Sequence, residues 1–500
     1  MSQPSYVLAL DQGTTSSRAI LFNAQGLPVA MGQRGFRQIY PRPGWVEHDP
    51  EELWQAQWQA VQDCLGKARI AVDAIHAIGI ANQRETTVVW DQRTGNAIHP
   101  AIVWQCRRTA EVCDTLRAQG LAPLFRDKTG LELDAYFSGT KVGWILDQVP
   151  SARGLAEAGH LRFGTVDSWI IHKLTAGQRH VTDYSNASRT LLYNIHRLQW
   201  DRDLLEILRV PASMCPEVVD SSGVAGYTDP HWLGRSIPIA GIAGDQQAAL
   251  FGQGCWQPGA VKNTYGTGSF LLMNTGSEPV SSRHGLLTTI AWGLDGAVNY
   301  ALEGSVFVTG AVVQWLRDEL QLIHHATETE SLANSVPDTG GVYVVPAFVG
   351  LGAPYWDSYA RGTIVGLTRG SNRAHVVRAA LESIAYQTRD VVEAMMQDSG
   401  IRVEILRVDG GAITNGFLAQ FQADVLGCPV QRSRIPETTA RGAAFLAGLA
   451  TGVWPGIASL GAVWLAEASF VPSLGEEVRT TLYQGWQRAV ERAKGWVVPG

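Results

Sequence analysis

A chain of 500 residues exceeds what one hydrophobic core usually supports, so two or three domains are expected. Hydrophobic residues make up 45% and charged residues 17%, and the net charge is -6, which excludes the basic footprint of a nucleic-acid or anionic-membrane binder and points to a small substrate. The six cysteines (Cys64, Cys106, Cys113, Cys215, Cys255, Cys428) show neither C-x-x-C nor Cys/His metal spacing and read as reduced core residues of a cytosolic protein. The stretch from Met1 to Ser5 has no basic n-region, so no signal peptide is expected.

The first predicted strand, Tyr6 to Leu10, delivers Asp11, Gly13 and the hydroxyls of Thr14, Thr15, Ser16 and Ser17 into a tight turn before a second strand, Ala19 to Asn23. Gly13 can take a positive φ, which lets the surrounding N–H groups converge on an anion. The hydroxyls add donors, Asp11 is placed to hold a hydrated Mg²⁺, and Arg18 brings charge to phosphoryl reach. The segment therefore reads either as a phosphate cradle without a P-loop or as an ordinary β-hairpin. A helical pattern from Pro50 to Cys64 and strands at Ile75 to Ala81 and Thr86 to Trp90 follow. Between those strands, Arg84 donates and Glu85 accepts, which suits vicinal hydroxyls, though adjacent opposite charges also make unremarkable surface pairs. From Tyr136 to Asp147, aromatic residues join a lysine-bearing helix, a pattern that core packing plus a solvated lysine would equally produce.

Ser236 to Gly244 reads as an apolar strand ending in small residues, with Asp245 at or near the start of a helix. The helix dipole there favours the ionised carboxylate, as a base for a hydroxyl proton requires; an N-cap aspartate is the alternative. Gly252 to Gly259 is rich in Gly and Pro, which places a domain boundary near Gln253 and divides the chain into 1–253 and 254–500. Val261 to Asn274 repeats the strand, Gly/Thr turn and strand, suggesting two similar domains that grip one nucleotide across a cleft. Strands at Tyr343 to Ala347 and Ile405 to Val408, with helices at His375 to Met396 and Gly416 to Leu426, extend a βαβ alternation and predict α/β layers. Asp409-Gly-Gly-Ala-Ile-Thr-Asn415 follows a strand; its small residues admit a flat base that Asn415 can hydrogen-bond, or it is a simple strand-to-helix turn. Gly442 to Ala466 is uncharged over a membrane-spanning length, but five glycines and Pro455 break it into a buried helix, Gly442 to about Leu449, and a turn at Thr451 to Gly456.

The runs Asp11-Gln-Gly-Thr-Thr-Ser-Ser-Arg18, Asn82-Gln-Arg-Glu-Thr-Thr87, Ile102-Val-Trp-Gln-Cys-Arg-Arg-Thr109, Gly244-Asp-Gln-Gln-Ala-Ala-Leu-Phe-Gly252 and Asn263-Thr-Tyr-Gly-Thr-Gly268 resemble the glycerol-phosphorylating branch of the FGGY carbohydrate-kinase family. Both family-wide patterns are matched, at Tyr136 to Gln148 and from Gly362 to Glu382, and the resemblance runs in register from Tyr6 to about Ala450. It implies an α/β protein of the actin-like ATPase fold, two ribonuclease-H-like domains flanking a nucleotide cleft, with transfer of the ATP γ-phosphoryl to glycerol to give sn-glycerol 3-phosphate and ADP.

Carried over position by position, the resemblance implies that Arg84, Glu85, Tyr136, Asp245 and Gln246 hold glycerol, with Trp104 and Phe270 against its carbons and Asp245 as the base. ATP ligands are implied at Thr14, Thr15, Ser16, Arg18, Thr267, Gly310, Gln314, Gly411 and Asn415, and Asp11 would help to place Mg²⁺. A cytoplasmic homo-oligomer, dimer or tetramer, is implied too. The family's Gly-Gly-Lys-x-Gly-x-Arg loop for fructose 1,6-bisphosphate is replaced by Asp229-Pro-His-Trp-Leu-Gly-Arg-Ser-Ile-Pro-Ile239, without the lysine and paired glycines, which argues against that inhibitor. His231 stands where another branch carries a phosphorylated histidine, but its flanks differ, and an ordinary loop histidine is the simpler reading. Two other functions fit the fold: a kinase for a pentulose, gluconate or erythritol, and a non-catalytic actin-like or chaperone ATPase. Asn82 to Thr87 with Gly244 to Gln247 favours glycerol over the first, and the acceptor residues Arg84, Glu85, Tyr136 and Asp245 have no purpose in the second.

Overall fold

A computed structural model describes residues 5–498, so the leader reading made on Met1 to Pro4 lies outside the described residues. The apolar strand Tyr6–Gln12 turns back antiparallel on Ser16–Asn23, which pairs antiparallel with Pro28–Gly35. On its other edge Tyr6–Gln12 runs parallel to Ile75–Asn82, and that strand runs parallel to Pro238–Gly244. Buried on both faces, the parallel strands are near-continuous Val, Ile, Leu and Ala, as parallel sheets require.

The second half repeats this plan strand for strand. Val261–Tyr265 pairs antiparallel with Ser269–Gly276, which pairs antiparallel with Ala297–Val306. Val261–Tyr265 is parallel to Leu406–Asp409, and that strand is parallel to Val430–Ser433. Order and sense are thus the same in both halves, as expected from the repeated hairpin. Leu287–Leu294 and Ser222–Tyr227 join the halves into one sheet, thirteen strands among the described residues, through the single pair Ser222 and Leu294.

Behind the join, two helices meet backbone to backbone. A Cβ on Gly442, in the helix Thr438–Ala450, would stand 1.8 Å from the carbonyl oxygen of Ala248, in the helix Asp245–Gly252. A Cβ on Gly79 would stand 2.1 Å from the Ala443 oxygen, so the same Gly/Ala face also lies directly on the first-half sheet. The helix predicted from Gly442 begins four residues earlier, where the Thr438 hydroxyl donates to Asp409 Oδ2. It ends before the expected turn, and a short helix, Ile457–Val463, follows. Among the described residues no helix is long and apolar enough to cross a membrane.

The long helix Arg373–Ser399 starts at a capping box of Asn372 and His375, two residues before its predicted start. It is held to the C-terminal helix Glu476–Ala493 by buried Asp390, which accepts from Tyr483 Oη at 2.6 Å and Trp486 Nε1 at 2.8 Å. The strand predicted at Thr86 is Val88–Asp91, preceded by Thr87, which bridges antiparallel to Ile102.

Candidate active site

The first hairpin closes where Gly13 N–H donates to Ser16 C=O at 3.0 Å, and the second where Gly266 N–H donates to Gly268 C=O at 2.8 Å. Gly13 does not take the positive φ expected of it. A Cβ on Gly13 would press on the Ser16 oxygen at 3.2 Å, and one on Gly268 would stand 2.4 Å from the Val306 oxygen of the neighbouring strand. Thr15 is exposed at the first tip, Ser16 Oγ accepts from Gln33 Nε2 at 3.0 Å, and Thr14 Oγ1 accepts from Trp104 Nε1 at 3.0 Å. Trp104 in turn packs edge-on against Tyr136, ring centres 5.4 Å apart, so an expected phosphate ligand and two expected acceptor residues are in physical contact.

Asp11 ends its strand buried, and loss of solvent raises its pKa despite Arg18. Arg18 Nη2 lies 2.7 Å from Asp11 Oδ2, a close ion pair. Arg18 Nη1 reaches Glu437 Oε2 at 2.6 Å, on the residue that leads into the helix Thr438–Ala450.

Arg84 and Glu85 are not a surface pair: they are 2% and 1% exposed. Glu85 sits at φ 55°, a left-handed conformation that costs a non-glycine residue on the order of 1 kcal/mol. That backbone is fastened from outside: the Glu85 carbonyl accepts from Ser138 Oγ at 3.1 Å and from Lys141 Nζ at 3.2 Å. Lys141 also donates to the Tyr136 carbonyl at 2.7 Å. It is wholly buried, so the solvated-lysine alternative does not hold, and desolvation lowers its pKa to about 7.

Asp245 opens its helix while Gly244 holds the N-cap position, so the N-cap alternative is excluded. Its carboxylate accepts from Gln246 N–H at 2.8 Å and faces Arg84 Nε at 3.4 Å. The side chain keeps 31% exposure, yet loss of solvent raises its pKa against the opposing charges of Arg84 and Lys262. Gln246 Oε1 accepts from Lys262 Nζ at 2.5 Å, and Lys262 donates also to Thr264 Oγ1 at 3.2 Å. Phe270 stands opposite Thr264 on the second hairpin, half-buried.

The remaining expected residues gather at the other side of the cleft. Thr267, Gly310, Gln314, Gly411 and Asn415 all line one cavity of ≈ 400 Å³, with Leu381, Ile384 and Leu418 as an apolar wall. A Cβ on Gly411 would meet nothing within 4 Å, so this position leaves the backbone open to a flat ligand. Asn415 caps the helix Gly416–Leu426 by accepting from Leu418 N–H at 3.0 Å and donates to Thr329 Oγ1 at 3.0 Å, so the strand-to-helix turn is present. Thr14, Thr15, Ser16 and Arg18 do not line this cavity. His231 is exposed in a single helical turn, Pro230–Leu233, against Trp232.

Sequence reasoning missed three charged residues at the centre of the site. Glu303, Arg189 and Lys262 are all buried, the first two in direct ionic contact with Arg84 and Glu85. Glu303 lies on a hairpin, Leu287–Leu294 with Ala297–Val306, whose Asp295-Gly296 turn takes positive φ at both residues. That dipeptide between two apolar runs is a strong hairpin signal and could have revealed the element.

Two family profiles match the chain: the N-terminal domain of the FGGY family of carbohydrate kinases over residues 6–252, and its C-terminal domain over 261–451. The glycerol kinase of Symbiobacterium thermophilum is 64% identical over 491 residues, 98% of this chain and 99% of that protein. Glycerol kinase 2 of Thermotoga maritima is 61% identical over 491 residues, 98% of this chain and 99% of that one. Among solved structures, Plasmodium falciparum glycerol kinase with ADP superposes with a TM-score of 0.94 at 35% identity over 98% of both chains. The gluconate kinase of Lactobacillus acidophilus shares the fold, TM-score 0.88 at 22% identity, over 98% of this chain and 97% of that one.

Proposed function

The chain belongs to the FGGY family of carbohydrate kinases, and we propose how its reaction, ATP-dependent phosphorylation of glycerol with release of ADP, uses the cleft described above. The actin-like ATPase fold supplies two hairpins and, between them, a charged acceptor pocket. In our reading Arg84 and Glu85 bind vicinal hydroxyls of glycerol, Gln246 and Tyr136 complete the polar contacts, and Trp104 and Phe270 cover the carbons. Thr14, Thr15, Ser16 and Arg18 meet the phosphates from one side and Thr267 from the other, while Gly310, Gln314, Gly411 and Asn415 take the nucleoside. The observation that carries this reading is the convergence of buried Arg84 and Glu85 with half-buried Asp245, Arg84 Nε lying 3.6 Å from Glu85 Oε1 and 3.4 Å from Asp245 Oδ1.

Asp245 then takes the proton from a terminal hydroxyl of glycerol as that oxygen bonds the γ-phosphorus. In the same in-line displacement the γ-phosphorus bond to the bridging oxygen breaks, and ADP leaves with the electron pair. Burial makes Asp245 a stronger base than an exposed carboxylate, and Arg84 keeps it ionised beside the acceptor. Mg²⁺ when bound supplies neutralisation of phosphate charge. The buried Asp11 carboxylate, in ionic contact with Arg18 at 2.7 Å, fits the single protein ligand that a mostly hydrated Mg²⁺ needs. Among the described residues no group of three or more His, Cys, Asp or Glu offers an alternative cage. We place the domain division after Gln253, and read the enzyme as a cytoplasmic homo-oligomer; light scattering on purified protein tests the assembly.

An ADP-release assay over glycerol, erythritol, gluconate and xylulose tests the acceptor. Glycerol is expected to give the highest kcat/KM by at least tenfold. A ketose or gluconate in that place overturns the acceptor assignment while leaving the kinase family intact.

A further inference from the structure

Arg84 and Glu85 are not self-supporting. The Arg84 guanidinium is gripped two-pronged by Glu303, Nη1 to Oε2 at 2.5 Å and Nη2 to Oε1 at 3.0 Å. Glu303 Oε1 also accepts from Arg189 Nη2 at 3.0 Å, and Arg189 Nε donates to Glu85 Oε1 at 2.7 Å. The four charges form a closed buried ring, Arg84 to Glu303 to Arg189 to Glu85, with every side chain at or below 2% exposure. Arg84 and Arg189 come from the first half, while Glu303 comes from the strand Ala297–Val306 of the second.

From this geometry we infer that Glu303 and Arg189 are positioning residues that set the orientation of the Arg84 and Glu85 side chains for the acceptor, and that Glu303 makes acceptor recognition depend on the second half. The inference rests on the glycerol reading above. Two features support it. Arg84 spends both Nη groups on Glu303, and Nη1 also reaches Gln247 Oε1 at 3.3 Å; this turns Nε toward Asp245 and Glu85, where the acceptor is expected. Glu85, on a left-handed backbone that restricts its side chain, has one oxygen fixed by Arg189, which leaves the second to accept from a hydroxyl. A two-pronged carboxylate–guanidinium contact fixes orientation as well as distance, which a single ammonium or amide does not. Without Glu303, two buried guanidiniums would face one carboxylate, and Arg84 would turn toward Asp245.

The test measures glycerol and ADP binding separately by calorimetry on the full chain, for wild type, Glu303→Gln, Glu303→Asp and Arg189→Lys. Glu303→Gln is expected to weaken glycerol at least tenfold while ADP stays within twofold. Glu303→Asp, which keeps the charge, is expected to recover part of that loss, and Arg189→Lys, which keeps one donor of two, to weaken glycerol several-fold. In steady state the loss appears in the glycerol KM more than in the ATP KM. A folded Glu303→Gln that binds glycerol within twofold of wild type, or variants that lose glycerol and ADP affinity together, would overturn the positioning role. Should Glu303→Gln fail to fold, Arg189→Lys decides by the same criterion. A wild-type protein that binds ADP but not glycerol overturns the acceptor reading itself and the inference with it, whereas normal wild-type binding with unmoved variants overturns the inference alone.

Discussion

Lys141 shows how much a single residue's reading depends on what surrounds it. In the sequence it is one cation on a helix face; in the fold it ties the carbonyl of Glu85 to that of Tyr136 and so fixes the backbone of the acceptor clamp. Lys141→Met removes both bonds; the Glu85 carbonyl keeps Ser138 Oγ, but the Tyr136 carbonyl loses its lysine donor, which costs on the order of 1 kcal/mol. The expected outcome is a glycerol KM raised at least tenfold, with the ATP KM little changed. Asp245 gives a second residue-scale expectation. A base must be deprotonated, and its pKa is raised by burial, so kcat/KM should fall as pH drops through a value above the usual carboxylate range. A pH–rate profile that stays flat to below pH 4 contradicts that. Arg84 and Glu85 were legible in the sequence as a donor next to an acceptor. Their burial was not, because Arg189 and Glu303, the partners that make burial of two charges tolerable, lie more than a hundred residues away in the chain. The ionic ring also has a pH signature. Glu303 is held down to about 2 by Arg189 and Arg84, so its stabilising contribution is complete above its unfolded pKa near 4.5 and is lost as pH falls from there toward 2. Urea unfolding between pH 5 and pH 2.5 should therefore lose on the order of 2 kcal/mol through this one group, and Glu303→Gln should flatten that part of the curve.

At the scale of elements, the repeated strand, Gly/Thr turn and strand was the most reliable signal, because a two-stranded hairpin is specified by local spacing alone. The hairpin around Asp295-Gly296 carried an equal signal and went unread. The contact between the helices Asp245–Gly252 and Thr438–Ala450 could not be read at all, since two small-residue faces nearly two hundred residues apart meet only in the fold. That contact makes a sharp prediction. Gly442→Val places a branched side chain where even a Cβ lies 1.8 Å from a backbone oxygen, so the helices must separate. A loss of about 3 kcal/mol or more in chemical unfolding is expected. Because the helix moved in this way begins at Asp245, kcat should fall as well; a variant with wild-type stability and rate would show that the two helices are not in backbone contact.

Across the whole molecule, two copies of one strand order face each other, and the ring of Arg84, Glu303, Arg189 and Glu85 closes across them beside the cleft. The central claim is that this arrangement puts a single base, Asp245, on a glycerol hydroxyl. Single-turnover formation of glycerol phosphate by wild type and Asp245→Asn, with glycerol affinity measured on the same samples, tests it most directly. The account predicts that the variant binds glycerol within about tenfold of wild type but transfers phosphate at least 100-fold more slowly, the ordinary scale of a lost general base. Transfer by Asp245→Asn at a rate close to that of wild type would contradict it.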